Sequence, residues 1–394
     1  MNSGRVDASL CHSVLRDLVA IDSVNPTLVR GARGEAEASK FLCDFLRKRG
    51  VPAELEEAAR GRPNVVALVS PAGGHETRNG KKAAALAILA HIDTVGAGDM
   101  PGPFTPRERD GRLYGRGALD IKSGVAAMCA AAIAARESGE WKKPLLLAAV
   151  VDEECDSIGT EALLRRYTAD AAVVLEPTDL RLTIAHKGYA WFEIVTHGRS
   201  AHGSLPAEGR DAIRMMGRVL NMLDALDRKL ASLEPHPLLG HGSLHASLIE
   251  GGQELSSYPA ACRLRLERRT LPSESAAEIE AELRALTAGL AMRDPEFRAD
   301  VRGLGNRPAY EIAREAPLVQ TCSRAILRVT GSVELAGMAP WTDTALLAAA
   351  GIPGVVLGPS GRGLHGSDEY VELDSVMRCA EVLREVIRLS CASE

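Results

Sequence analysis

Aromatic side chains are scarce in this 394-residue chain: Phe, Trp and Tyr together make up 4% of it. Recognition of a ligand by ring stacking is therefore not what the composition favours. A cationic surplus is missing as well. Lys and Arg number 47 against 52 Asp and Glu, a formal net charge of −5, so there is no basic footprint for nucleic acid or an anionic membrane. The apolar stretch at 83–90 falls far short of the roughly 20 residues that a membrane-spanning helix needs. Residues 1–18 have no apolar core followed by a small-residue cleavage site, so no leader is expected. The eight cysteines never fall as C-x-x-C, and scattered thiols of this kind suit a reduced, cytoplasmic protein. No G-x-S-x-G stretch marks a serine nucleophile, and Cys155 beside two glutamates reads as packing rather than as a nucleophile. Repeats and low-complexity tracts are also lacking.

What is present points to an enzyme-sized α/β chain of two domains. "EAEASKFLCDFLRKRG" puts Ala38, Phe41, Leu42 and Phe45 on one helical face and stops at Gly50. "PNVVALVS", "AAALAILAH", "PLLLAAVVDEE" and "AAVVLEP" are short aliphatic runs that alternate with helical patterns, as in a sheet covered on both faces. "SGVAAMCAAAIAARESG" reads as an alanine-rich helix, and "SPAGGHETRNGKK" as an exposed loop. After Glu176 the texture changes. A two-sided strand pair, a helix over 211–230, two strands, a helix from Ser273 and a last strand follow in the order of a small α+β unit. From about Asn306 the α/β texture returns with "IPGVVLGPSG" and a capped terminal helix, "DSVMRCAEVLREVIRL". The expected division is a catalytic domain over 1–180 and 306–394, with a smaller domain inserted at 181–305.

The strand ends carry a consistent set of ligand-type residues. "LAILAHIDTV" closes on His91 and Asp93, which alternation would aim the same way. "GRGALDIKSG" brings Asp120 between glycines. "VVDEECD" ends on Asp152, Glu153 and Glu154, "VVLEPT" on Glu176, and "GPSGRGLHGSDEYV" places His365 in a glycine-rich loop. Taken singly, each has a plain structural role: an edge ion pair, a turn entry, a solvated strand end. Extended backbone would send Glu153 and Glu154 to opposite faces. Taken together they share one kind of position, the crevice side of an α/β sheet, where active sites collect. Two imidazoles and three carboxylates suit a pair of divalent cations, with a carboxylate between them and others left for proton transfer.

With "AHIDTV", "GRGALDIKSG", "DEEC", "LEPT" and "LHGSDEYV" in this order, the chain resembles the co-catalytic zinc aminoacylase and carboxypeptidase family. That family includes acetylornithine deacetylase, succinyl-diaminopimelate desuccinylase, aminoacylase-1-like enzymes and glutamate carboxypeptidase. The resemblance implies a zinc-peptidase-like catalytic domain with a covered mixed sheet, plus an inserted α+β, ferredoxin-like lid and dimerisation domain. It implies two divalent ions, Zn2+ foremost with Co2+ or Mn2+ as alternatives. His91 and Glu176 would bind one and Glu154 and His365 the other. Asp120 would bridge them, Asp93 would orient His91, and Glu153 would be the general base. "HGRSAHGSLPAEGRDAI" resembles a segment whose histidine, here His202, reaches the active site of the partner subunit in a homodimer. "LERRTLP" fits a substrate-carboxylate arginine at Arg269, with Arg268 as its rival. "GGQELSSYP" has Ser256 where many members carry an asparagine. The activity implied is hydrolysis of an N-acyl amino acid. A dipeptidase or carboxypeptidase is the alternative, and a non-catalytic binding protein of the same fold a more distant one.

Overall fold

The aliphatic run before His91 becomes the strand Leu86–His91, buried at every position. A strand with no polar alternate needs parallel neighbours at its edges and helices over its faces. Here it runs parallel to Leu145–Val150 on one side and to Ala172–Leu175 on the other, and Gly354–Leu357 continues the parallel set. The C-terminal ends of these four strands therefore share one edge. Arg62–Val69 and Ala53–Ala59 extend the sheet antiparallel beyond Leu145–Val150, and Thr183 of Leu182–His186 pairs antiparallel with Val356. The result is a mixed sheet in an α/β unit. Ala87 and Leu89 pack with Leu163 and Leu347 of the helices Ile158–Arg166 and Thr344–Ala349. The structure, a computed structural model, describes residues 4–70, 76–139 and 141–392.

The alanine-rich segment forms the helix Ser123–Ser138, with 13 of its 16 residues buried. It packs against Leu86–His91 and the helices Ala8–Val19 and Leu373–Ser390, and its small side chains allow that crowding. Together with the turn before it, Ala118–Ser138 is long and apolar enough to cross a membrane, which the short run at 83–90 does not hint at. It is a core helix by burial: 94% of its most apolar window lies inside the unit.

Several local expectations shift. The helix Ala36–Lys48 buries Ala38, Ser39, Leu42, Cys43 and Leu46 rather than a face containing Phe41 and Phe45. The small Ser39 and Cys43 let the helix approach the sheet, and Ser39 Oγ donates to Pro63 O at 2.8 Å. The two phenyl rings stack on each other at 6.3 Å along its flank. Within the loop expected over 70–82, residues 71–75 lie outside the described ones. Thr77–Arg78 and Lys81–Ala84 pair as a hairpin through Asn79 and Gly80, both at positive φ. The terminal helix Leu373–Ser390 has Glu372 at its N-cap without a side-chain capping bond; Asp374 supplies negative charge to its first turn instead.

The described residues divide into two compact units, one of those up to 184 with 312–336 and those from 342 on, the other of 185–311 and 337–341. The sequence boundaries at 180/181 and 305/306 fall a few residues before these. Residues 337–341 join the second unit because Lys187 N donates to Met338 O (3.2 Å) and Trp341 Nε1 to Pro308 O (3.1 Å). The second unit is an antiparallel sheet in the order Ser243–Gly251, Ala261–Thr270, Gly188–His197, Ala299–Arg307. The helices Ala212–Ala231 and Ala276–Arg293 supply Met216, Val219 and Leu283 to a core shared with Phe192, Ile194 and Leu264. Asp211 caps the first helix, and Ser275 with Glu278 forms a capping box on the second.

Candidate metal centre

All the ligand-type residues expected of the first unit meet at the C-terminal edge of its parallel strands. His91 is the last residue of its strand and is buried. Its Nδ1 lies 3.0 Å from the main-chain oxygen of Asp93, an acceptor only, so Nδ1 carries the proton. The Asp93 carboxylate stands farther away, at 3.6 Å. The ring is thus oriented by the backbone of Asp93 first and by its side chain second. That leaves Nε2 aimed into the site, 3.1 Å from Asp120 Oδ1 and 3.9 Å from Glu176 Oε1.

Asp120 sits in a turn before the alanine helix that begins with Gly117 at φ +78. A side chain at Gly117 would collide with Thr94 Cγ2, so the turn closes against the histidine strand only with glycine there. The second oxygen of Asp120 faces the other imidazole: Oδ2 is 3.4 Å from His365 Nε2. His365 Nε2 is also 3.4 Å from Glu154 Oε2. Ligand atoms of His91, Asp120 and Glu176, and again of Asp120, Glu154 and His365, lie within 4.8 Å of one another. Asp120 belongs to both groups.

Glu153 and Glu154 lie in a turn after Leu145–Val150, not in an extended strand end, so the opposite-face expectation does not hold. Asp152 adopts φ +70, and Ser157 N donates to its carbonyl at 2.7 Å. The amides of Glu153 and Glu154 both donate to the Asp93 carboxylate, at 3.2 and 3.3 Å. Asn25 Nδ2 reaches the same carboxylate at 2.8 Å and Asp152 Oδ1 at 3.1 Å. Behind them, Arg62 pairs with Asp152 (2.8 Å) and with buried Glu35. Asp93 therefore anchors two loops, and its burial is offset by the His91 and Asn25 bonds, which hold it below the usual carboxylate range.

The electrostatics describe a crowded anionic site. Burial, then repulsion from Glu176, Asp343 and Glu154, lifts Glu153 well above the ordinary carboxylate range against the pull of His91. Glu176 is lifted for the same reasons, and burial raises Asp343 to about 6. His365 is raised to about 10 by its bonds to Asp120 and Glu154. For His91, burial works against the charged ring, but the bonds to Asp120 and Asp93 prevail and raise it. Glu154 Oε1 is buried and has no hydrogen-bond partner among the described residues. An unfilled lone pair, carboxylates facing imidazole nitrogens and mutual carboxylate repulsion are what a divalent cation would relieve.

The second unit holds the remaining expected residues. His202 is exposed; its Nδ1 accepts from Ser204 N at 3.2 Å, so Nε2 is the ring nitrogen free to donate. Ser256 is close by, its carbonyl accepting from Gly203 N at 2.7 Å. Arg269 pairs with Glu267 at 2.7 Å and lies over Tyr189, 5.6 Å from the ring centre. Tyr189 in turn meets Trp191 and Trp341, so part of the sparse aromatic content collects beside this arginine. Its rival Arg268 is buried on the helix-covered side and bonded to Glu274.

Asn25, Arg62, Glu35, Arg116, Glu369 and Asp343 were not expected from the sequence. Arg116 and Glu369 lie inside "GRGALDIKSG" and "LHGSDEYV", but only Asp120 and His365 stand out there as ligand types; the other four lie outside the stretches that carry the ligand set. Their roles come from side-chain pairs as much as 253 residues apart.

Comparison with known proteins supplies the context. The sequence profile of peptidase family M20/M25/M40 matches residues 87–389. The chain belongs to this family. It is a metallohydrolase of the kind that acts on amide or peptide bonds. Among relatives, an acetylornithine deacetylase from Shigella sonnei (strain Ss046) is 30% identical, the alignment covering 96% of this chain and 97% of that protein. Among solved structures, aminopeptidase PepT from Bacillus cereus ATCC 10987 matches with a TM-score of 0.78 at 19% identity, over 98% of this chain and 99% of that one. The YXEP protein of Bacillus subtilis, a dinuclear metal-binding peptidase of the M20 family, matches at 0.73 and 17% identity over 98% of both chains.

Proposed function

We propose that the chain is a di-metal amidohydrolase that releases an amino acid from an N-acyl amino acid. One observation carries this reading: Asp120 presents one oxygen to His91 and the other to His365, at 3.1 and 3.4 Å. His91, Asp120 and Glu176 would hold one ion, and Asp120, Glu154 and His365 the other, with zinc suited to the mixture of imidazole and carboxylate. A bound pair of such cations supplies a water acidic enough to ionise near neutrality and polarises the acyl oxygen.

The side chains provide the rest. Glu153 belongs to neither group and has its amide pinned to Asp93, which leaves its carboxylate to take the water's proton and hand it to the departing nitrogen. His202, with Nε2–H exposed, suits a donor to the acyl oxygen, and Arg269 suits the substrate carboxylate as a planar donor. Arg268, buried and paired, is a poor candidate for that contact. The 30% identical deacetylase favours an acylated amino acid over a peptide. Homodimerisation through the second unit is part of the same reading. It is supported by the edge strand Ser243–Gly251, which carries no Lys, Arg or Pro and exposes Leu248 and Ile249 by 62 and 56%. Eight unpaired cysteines are consistent with a reducing, cytoplasmic setting.

The test is hydrolysis of a mixed panel of N-acyl amino acids and dipeptides by the zinc-loaded protein, with Glu153→Ala as blank. Release of free amino acid from acylated substrates is expected. The blank should retain its metal and lose about 10²- to 10⁴-fold in turnover. Preference for dipeptides would make it a peptidase, and silence across the panel would leave a binding protein.

A further inference from the structure

The turn that carries Asp120 and the loop that carries His365 are separated by most of the chain, yet their spacing sets the gap between Asp120 and the second imidazole. A buried ion pair joins them. Glu369 spends both oxygens on the Asp120 turn: Oε1 accepts from Leu119 N (2.9 Å) and Asp120 N (3.1 Å), and Oε2 from Gly117 N (3.1 Å). Oε2 also accepts from Arg116 Nη1 at 2.7 Å. The other end of that guanidinium reaches across to the histidine loop, where Nη2 donates to His365 O (3.2 Å) and Gly366 O (2.9 Å). The two side chains are 2 and 1% exposed. Just outside the pair, Arg112–Tyr114 and Tyr370–Glu372 run together as antiparallel strands, so the brace closes a continuous seam. His365 itself sits at φ +58, a conformation that a residue with a side chain keeps only when its surroundings impose it.

We propose that Arg116 is a positioning residue: braced on Glu369, it fixes the His365 loop against the Asp120 turn and so shapes the Asp120–Glu154–His365 cation site. This rests on the two-cation reading above. Arg116 touches no ligand atom; it acts through the carbonyls of His365 and Gly366. The planar fork matters, because one guanidinium binds Glu369 with one nitrogen and two carbonyls with another. Lysine would keep the charge beside Glu369 and lose that reach.

The experiment is titration of the metal-free full chain with Co2+, followed by calorimetry and by visible absorption. Wild type is expected to take up two ions. Arg116→Lys should bind one as wild type does and the other about 10- to 100-fold more weakly, the usual scale for groups behind the ligands. In a His365→Ala background, Arg116→Lys should change nothing further, because the site it shapes is already gone. Equal weakening of both ions, no weakening, or an undiminished effect in the His365→Ala background would overturn the brace and leave the two-cation reading standing. A wild-type chain that takes up fewer than two ions would overturn the two-cation reading and the brace with it. If Arg116→Lys fails to fold, Arg116→Gln decides by the same readout. It removes the reach to His365 O and Gly366 O and leaves the bonds from Glu369 to the Asp120 turn in place, so selective weakening supports the brace and its absence overturns it.

Discussion

A carboxylate that turns each oxygen to a different imidazole, as Asp120 does, holds its neighbours in a state that depends on protons when no cation is bound. Burial keeps Glu153 and Glu176 above the usual carboxylate range, and the bonds from Asp120 and Glu154 keep His365 charged up to about pH 10. Each therefore holds a proton, or a share of one, that a metal ion would displace. Binding should release protons, and affinity should rise with pH toward about 10. Calorimetry in two buffers of unlike ionisation heat counts those protons; identical heats in both would contradict the expectation. The stability sign follows from the same residue. The folded value of His365 lies above its ordinary 6.5, so its contribution to the metal-free fold is complete below 6.5 and lost as pH rises to about 10. The chelated protein should accordingly melt lower at pH 9 than at pH 7, with metal restoring more at pH 9. At this scale the sequence was informative wherever a residue ended a strand. His91, Glu154, Glu176 and His365 could be read as a set because aliphatic runs announced the strands before them, and Asp120 joined them through the glycines of its turn rather than through a strand. Asn25, Arg62, Arg116 and Glu369 could not, because nothing local distinguishes an arginine destined for a buried pair from one destined for solvent.

Among the elements, the alanine helix Ser123–Ser138 ties the site to the core. Its first turn follows Asp120 directly, and Ala126, Ala127 and Ala131 are fully buried. A larger side chain there has no space to enter. Ala131→Leu should cost about 1–3 kcal/mol, read as a lower midpoint in urea, with metal affinity falling as the helix shifts. Unchanged stability would mean that the helix is less closely packed than its burial indicates. The elements most legible beforehand were those with a single strong period, such as the buried strands and the helices of the second unit. Ala36–Lys48 shows the limit: period alone weighed its phenylalanines as core, whereas close approach to the sheet selected Ser39 and Cys43. The hairpin at 77–84 was obscured because charged strands with an Asn-Gly turn have the composition of a loop.

For the molecule as a whole, the proposed homodimer sets what a surface substitution should do. In the proposed homodimer the edge strand Ser243–Gly251, whose outer side has no strand partner among the described residues, would present two exposed aliphatic side chains to a second copy, whereas the opposite edge, Ala299–Arg307, carries Asp300, Arg302 and Arg307. Ile249→Lys should convert a dimer to a monomer in sedimentation at micromolar concentration. A dimer that persists would move the interface elsewhere. The return of residues 337–341 to the second unit has a consequence for descent. Because Trp341 and Met338 are bonded to Pro308 and Lys187, 185–311 is not a self-contained cassette. A chimera that grafts a relative's 185–311 onto this chain would inherit a foreign partner for those five residues, so the two stretches are expected to be exchanged together or not at all.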